Sequence, residues 1–338
     1  MKTRSLLLRA LIASSVVLTL NTFGPAKAQD KNNRMSVPEN EMKAAKAVEA
    51  APDLNAKVAS AQDFVKKYPK SLARKQVADY LAIQIAKAKD ANEELTLLQK
   101  FQTVFTEEAE VKTIKPIMVD AYLRLNRFDD AFSEGASFLA KNPEEIRILV
   151  DLAIAGTEQA KQRNPKFATQ SRQYGTKAIE LIEADKKPAD MDAEGWASFK
   201  PMLPQLYQEM AIIALLQQNT AESQSNLEKA MKLNPSDPFN YVLLGSITND
   251  EYQRVAQSHK GMSDGKSKDD MFKKATELLD KVIDTYAHAV ALSEGKSGYE
   301  QLHSQVLQDL TAYYKYRHNN STEGLQQLID KYKMPAKP

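Results

Sequence analysis

No cysteine occurs among the 338 residues. Disulfides, thiolate metal sites, a cysteine nucleophile and a cysteine-linked lipid are thereby excluded. A chain of this length rests on packing alone, which suffices, since about three quarters of the unfolded surface is buried in a compact fold of roughly 300 residues. Glycine is scarce, at 11 residues, and no stretch alternates apolar and polar residues for long enough to make a strand. Long apolar runs are also missing. Ala10 to Leu20 is uncharged and mostly apolar, but it is shorter than the ~20 helical residues that a bilayer core demands. With Lys2, Arg4 and Arg9 before it and Ala26-Lys27-Ala28 after it, the run reads as a secretory signal peptide cut before Gln29. Its retention as an anchor is the alternative. Removing residues 1–28 takes four basic residues and no acidic ones, so 46 against 44 becomes 42 against 44, a net charge of about −2. The mature chain is expected to be periplasmic or secreted, with no membrane span. It has no global positive field to attract nucleic acid.

Sequence patterns for catalysis are missing too. Gly265-Lys266-Ser267 and Gly295-Lys296-Ser297 look like the end of a phosphate-binding loop, but Lys260 and Val290 stand where the earlier glycine is required. Both are read as starts of helices. The four histidines, His259, His288, His303 and His318, include no pair three or four apart that a helix would present to a metal. Packing or surface roles are expected for them. Acidic pairs at Glu107-Glu108, Asp129-Asp130 and Asp269-Asp270 fall at helix starts, where the helix dipole explains them. No Gly-x-Ser-x-Gly elbow is present. The reading is of a protein that is not an enzyme and uses no cofactor or metal.

What the sequence does contain is a period. Phe64, Phe101 and Phe138 stand 37 residues apart, each shortly before a break. A period of this length marks helical hairpins that bury their apolar faces by stacking on one another, and such arrays present long surfaces to protein partners. Each phenylalanine is expected to be buried on the second helix of its hairpin. Residues 29–37 read as a flexible linker and 38–338 as one helical-repeat domain. Helices are expected over 40–51, 54–68, 71–89, 91–105, 113–126, 128–141, 143–162, 167–184, 197–218, 221–233, 238–256, 267–286, 297–318 and 322–333. Asn142-Pro143 and Asp237-Pro238 each read as a cap followed by a first-turn proline. Asp185 to Gly195 and His259 to Ser267 read as exposed loops. In the cluster Tyr313-Tyr314-Lys315-Tyr316-Arg317, helical spacing turns Tyr313 and Tyr316 inward and leaves Lys315 solvated.

The stretch from Lys115 to Pro143 resembles the tetratricopeptide repeat: Tyr122, Phe128, Ala131, Phe138 and Pro143 fall at that family's aromatic, small, apolar and proline positions. A second copy is split across Leu206 to Gly245, with Ala230 and Leu233-Asn234-Pro235 closing one repeat and Tyr241, Leu244 and Gly245 opening the next. Phe64 with Tyr68-Pro69-Lys70-Ser71 is similar to the variant found in bacterial cell-envelope proteins. The resemblance implies an all-α fold of tandem helical hairpins in a right-handed superhelix, acting as a scaffold that binds a protein or peptide in a concave groove. In that family the first helix of each repeat lines the groove. Carried onto this chain, the groove holds Asp79, Lys87, Asp120, Arg124, Gln205, Gln208, Phe239, Asn249 and Asp250. If Asp120 and Arg124 face it, replacing them costs little stability. The family's clamp for a terminal carboxylate pairs a lysine with an asparagine four residues later, and no Lys-x-x-x-Asn occurs from Pro38 to Pro143. Chaperone tails are therefore not expected partners. The rival reading is a periplasmic carrier or enzyme accessory holding a small molecule or glycan fragment between repeats. A closed apolar pocket with convergent polar groups favours that rival, and an open groove favours the scaffold.

Overall fold

The computed structural model describes residues 37–189 and 191–333. The expected signal peptide, and the linker up to residue 36, lie outside the described residues. Among those described, every regular element is a helix, and no helix is long and apolar enough to cross a membrane. The chain divides into two compact units, one ending at Met202 and the other beginning at Leu203.

The N-terminal unit comprises α1 (Glu39–Ala50), α2 (Leu54–Lys67), α3 (Arg74–Ala86), α4 (Ala91–Val104), α5 (Glu108–Arg124), α6 (Phe128–Leu139), α7 (Ile146–Lys161), α8 (Ala168–Glu183) and the short α9 (Ala193–Ala197). Consecutive helices pair as hairpins, and the first helices also touch in series, α1 on α3, α3 on α5 and α5 on α7. This is the stacking of an α-solenoid. The 37-residue period is written into the helix ends. Asp53 and Asp90 occupy equivalent N-cap positions, Asp53 accepting from the Ala56 N–H at 2.8 Å and Asp90 from the Glu93 N–H at 2.8 Å. At the far ends, the N–H groups of Tyr68, Phe105 and Asn142 donate to the carbonyls of Phe64, Phe101 and Phe138. The three phenylalanines thus do share one position on α2, α4 and α6. Phe64 (2% exposed) and Phe101 (0%) are buried, whereas Phe138 is only half-buried and Leu139 beside it fills the core.

Other expectations need correction. Asn142 does not cap the following helix; its amide Nδ2 donates back to the Phe138 carbonyl at 3.2 Å, and α7 starts only at Ile146. Asp185 to Gly195 is not simply an exposed loop. Met191 (3%) is buried, the Trp196 indole donates to Asp185 at 2.8 Å, and Asp192 caps α9. That tryptophan packs on buried Phe199, so the segment forms its own small apolar plug. The helix expected over 197–218 is consequently split, with a 3-10 turn at Lys200–Met202 before the next α-helix.

The C-terminal unit comprises α10 (Leu203–Leu216), α11 (Thr220–Leu233), α12 (Pro238–Lys260), α13 (Lys266–Ser293), α14 (Glu300–Arg317) and α15 (Leu325–Asp330). Asp237 caps α12 as expected, accepting from the Phe239 N–H at 3.0 Å with Pro238 in the first turn. α12 and α13 form a long hairpin whose helices approach closely because Gly245 has no side chain; a Cβ there would lie 2.3 Å from Tyr286 Cε1. Its core joins Tyr252, Leu279, Val282, Tyr286, Val290, Leu310 and Tyr314. Within the tyrosine cluster the buried residue is Tyr314, its hydroxyl donating to the Glu323 carbonyl at 2.7 Å, while Tyr316 is 73% exposed. The inward turn expected for Tyr316 therefore belongs to Tyr314. Gly265 does precede a helix, but Gly295 lies in the turn between α13 and α14, with Lys296 donating to the Ser236 carbonyl at 2.8 Å. The histidines pack: His288 lies between Tyr241 (3.9 Å) and Tyr332 (4.3 Å), His318 stacks on Tyr314, His259 contacts Phe272, and His303 Nδ1 is 3.1 Å from the Ser293 hydroxyl.

Candidate functional site

The faces of the first helices in the N-terminal unit carry polar groups in two conditions. Some are fully engaged and tie hairpin to hairpin. Arg74 at the start of α3 reaches Glu110 of α5, with Nη2 to Oε2 at 3.1 Å, and donates Nη1 to the Pro69 carbonyl at 3.0 Å. Glu110 is 1% exposed and also accepts the Glu107 N–H at 3.1 Å, so one buried carboxylate both closes the start of α5 and anchors α3. Arg124 does the equivalent at the other end of α5, pairing with Asp120 at 2.7 Å and with Glu94 of α4, itself 1% exposed. Removing one partner of such a pair leaves a buried charge and is strongly destabilising.

The expected groove residues fall accordingly. Asp79 accepts from Thr113 Oγ1 at 2.9 Å and pairs with Lys75, joining α3 to α5. Lys87, at the end of α3, is exposed. Asp120 and Arg124 are brought together, but their side chains are mostly buried and Arg124 holds Glu94, so they are not free surface and their replacement is expected to cost stability. In the C-terminal unit Gln208 donates to Asp237 at 3.0 Å and to Asn240 at 2.8 Å, fastening α10 to the start of α12. Phe239 and Asn249 are half-buried and Asp250 is exposed.

Other polar side chains on these helices each leave one buried atom without a hydrogen bond. Among the described residues, the buried side-chain atoms with no hydrogen-bond partner are Glu49 Oε1, Gln76 Oε1, Arg147 Nε, Asp151 Oδ2, Gln205 Nε2 and Ser223 Oγ. Glu49 is on α1, Gln76 on α3, Arg147 and Asp151 on α7 and Gln205 on α10, each the first helix of its hairpin; Ser223, on α11, is the exception. Burial pushes the Asp151 carboxyl well above the usual carboxylate range, and Asp120 and Glu145 add to this against the opposing effect of Arg147. Glu49 and Gln76 line a small shared recess with Met42, Ala45, Val48, Val77 and Tyr80. Of these unengaged groups, the sequence reading included only Gln205. A signal for one was present, since Gln76 lies three residues before Asp79 on the same face of α3.

The sequence matches no protein-family model and no curated protein. Among solved structures it is similar to a tetratricopeptide repeat protein from Parabacteroides merdae, at 15% identity and a TM-score of 0.38 over 86% of this chain and 97% of that one. So loose a superposition says nothing about function.

Proposed function

We propose that the chain is an exported, non-catalytic scaffold that holds a protein or peptide partner against the first-helix faces of its hairpins. The observation that carries this reading is where the unengaged polar atoms lie. A buried donor or acceptor without a partner costs about 1–3 kcal/mol, and five of the six such atoms are on first helices. A bound chain relieves that cost only by displacing the side chains that cover these atoms, and in the tetratricopeptide repeats that the chain resembles the first helices are the ones that face a partner.

The test is site-specific photo-crosslinking in cells that express the full chain. A crosslinker at Asp79 or Lys87 should trap a discrete partner, and one at Lys66, exposed on the second helix α2, should not. Crosslinks from Lys66 alone would move the interface to the other side. Export is tested separately by the mass of the protein recovered from cells, which should begin at Gln29; intact Met1 in mature material would contradict it.

A further inference from the structure

Three helices of the C-terminal unit bring four tyrosines together. Tyr286 of α13 packs against Gly245 of α12, and its ring lies 6.2 Å from that of Tyr313 on α14. Tyr252 of α12 joins them from the other side, and Tyr313 and Tyr316 act on its hydroxyl. The cluster runs from core to surface: Tyr286 and Tyr252 are buried, Tyr313 is half-buried and Tyr316 is mostly exposed. Asp309, Tyr313 and Tyr316 follow one another at four and three residues, so they share a face of α14. A tyrosine left open beside buried ones suits an interface, since one side chain offers both an apolar face and a polar tip.

The charge of this face is one-sided. Burial pushes the Tyr286 and Tyr252 hydroxyls up to about 12; Tyr313, Asp309 and Asp250 add to the first, and Tyr316 and Tyr313 to the second. Among the described residues no lysine or arginine opposes them. Tyr286, though only 7% exposed, also has no hydrogen-bond partner for its hydroxyl among those residues. Both carboxylates are accessible, Asp250 exposed and Asp309 half-buried, and the cations near them are turned elsewhere. Arg254 donates its Nε to the main-chain carbonyl of Asp250 at 3.2 Å, and Arg317 pairs with Asp280 at 2.7 Å. Asp309 faces only the Gln305 amide, at 3.4 Å.

Aromatic rings beside carboxylates without a counter-ion complement a cation. Of the two long basic side chains, arginine fits better. Its guanidinium is weakly hydrated, stacks on aromatic faces and pairs with a carboxylate through two parallel donors, whereas an ammonium is a compact, strongly hydrated charge.

We propose that this face of α12 and α14 takes an arginine side chain of the bound protein or peptide, its guanidinium against Tyr313 and Tyr316 and paired with Asp309, while Asp250 adds negative charge from α12. The inference rests on the scaffold reading and names one residue type that the partner must carry.

Ring NMR of the full chain with isotope-labelled tyrosines tests it. N-acetyl-arginine methylamide is the probe, and the citrulline analogue, which keeps the shape and lacks the charge, is the control. The arginine probe should shift the Tyr313 and Tyr316 signals and saturate at about tenfold lower concentration than citrulline, the scale of a charge-assisted hydrogen bond. Asp309→Asn should remove that preference and leave the Tyr122 signal of the N-terminal unit in place. Equal saturation by citrulline, a preference unchanged in Asp309→Asn, or no shift at these rings up to about 100 mM would overturn the proposal. Equal saturation by the lysine analogue would show that the face reads charge alone and overturn the arginine assignment. Crosslinking from Asp79 and Lys87 separates the two readings. Crosslinks without an arginine preference defeat only this inference, and an arginine preference without crosslinks defeats the scaffold.

Discussion

The two units solve the same packing problem with different chemistry. In the N-terminal unit short helices recur at 37 residues, and buried carboxylates, Glu110 and Glu94, clamp neighbouring hairpins through Arg74 and Arg124. In the C-terminal unit the helices are long, and the comparable ion pairs, Arg317 with Asp280 and Lys274 with Glu251, lie at the exposed surface, where they contribute little. Aromatic packing is prominent there: Tyr286, Tyr313, Tyr314, His288 and Tyr332 pack together from α13, α14 and the end of the chain after α15. Burial pushes the Tyr286 hydroxyl up to about 12, with Tyr313 adding to it, so the ring stays neutral at physiological pH. The N-terminal unit is thus a periodic array, and in the C-terminal unit α12 to α15 share one core.

The largest expected effect attacks the array. Phe101→Ala empties a fully buried site and should cost about 3–5 kcal/mol, read as a lower denaturation midpoint of the N-terminal unit. Phe138→Ala, at the equivalent but half-buried position, should cost clearly less. Equal losses would mean that the period, and not burial, sets the energetics.

Next comes the clamp. Arg74→Met strands the Glu110 carboxylate in the core and should cost about 3 kcal/mol, while adding Glu110→Gln to it should recover most of the loss. The pair is then worth little beyond its own desolvation. A double variant as unstable as the single would show that the clamp itself holds α3 on α5.

Gly245→Ala sharpens the contrast from the other side. The added methyl would meet Tyr286, and the overpacking should cost about 1–3 kcal/mol in the C-terminal unit, seen in its thermal transition alone.

The smallest effect separates the units by pH. Burial lowers the His288 pKa against the raising influence of Asp284. The unfolded chain therefore takes up that proton first as pH falls below about 7, and the C-terminal unit should lose stability through the folded pKa. Asp151 has the opposite sign: its folded pKa is raised, so the unfolded chain releases the proton first, and stability is lost as pH rises from about 4 through the folded value. Asp151→Asn should remove that dependence and raise the melting temperature of the N-terminal unit by about 2–4 °C, the scale of about 1 kcal/mol in a domain of this size. Unchanged melting would show that the carboxyl is not strained by its surroundings.

Much of this architecture was legible in the sequence because repeats are written locally. The cap at Asp237 and the shared helix-end position of Phe64, Phe101 and Phe138 need only near neighbours. What could not be read is what depends on distant partners. The Arg74–Glu110 and Arg124–Glu94 pairs span 36 and 30 residues, and no spacing rule identifies them. Tyr314 was missed in favour of Tyr316 because helical spacing gives the angle between residues and not the rotation of the helix on its core. The recess at Glu49 and Gln76 was invisible for a related reason, since it exists only where α1 meets α3.

Hydrogen exchange resolved by segment on the unaltered chain tests the contrast most directly. The account predicts graded opening in the N-terminal unit, with each hairpin from α1–α2 to α7–α8 showing its own free energy, and a single cooperative opening of α12–α15, whose side chains share one core. One common opening energy across both units, or staged opening within α12–α15, would contradict it.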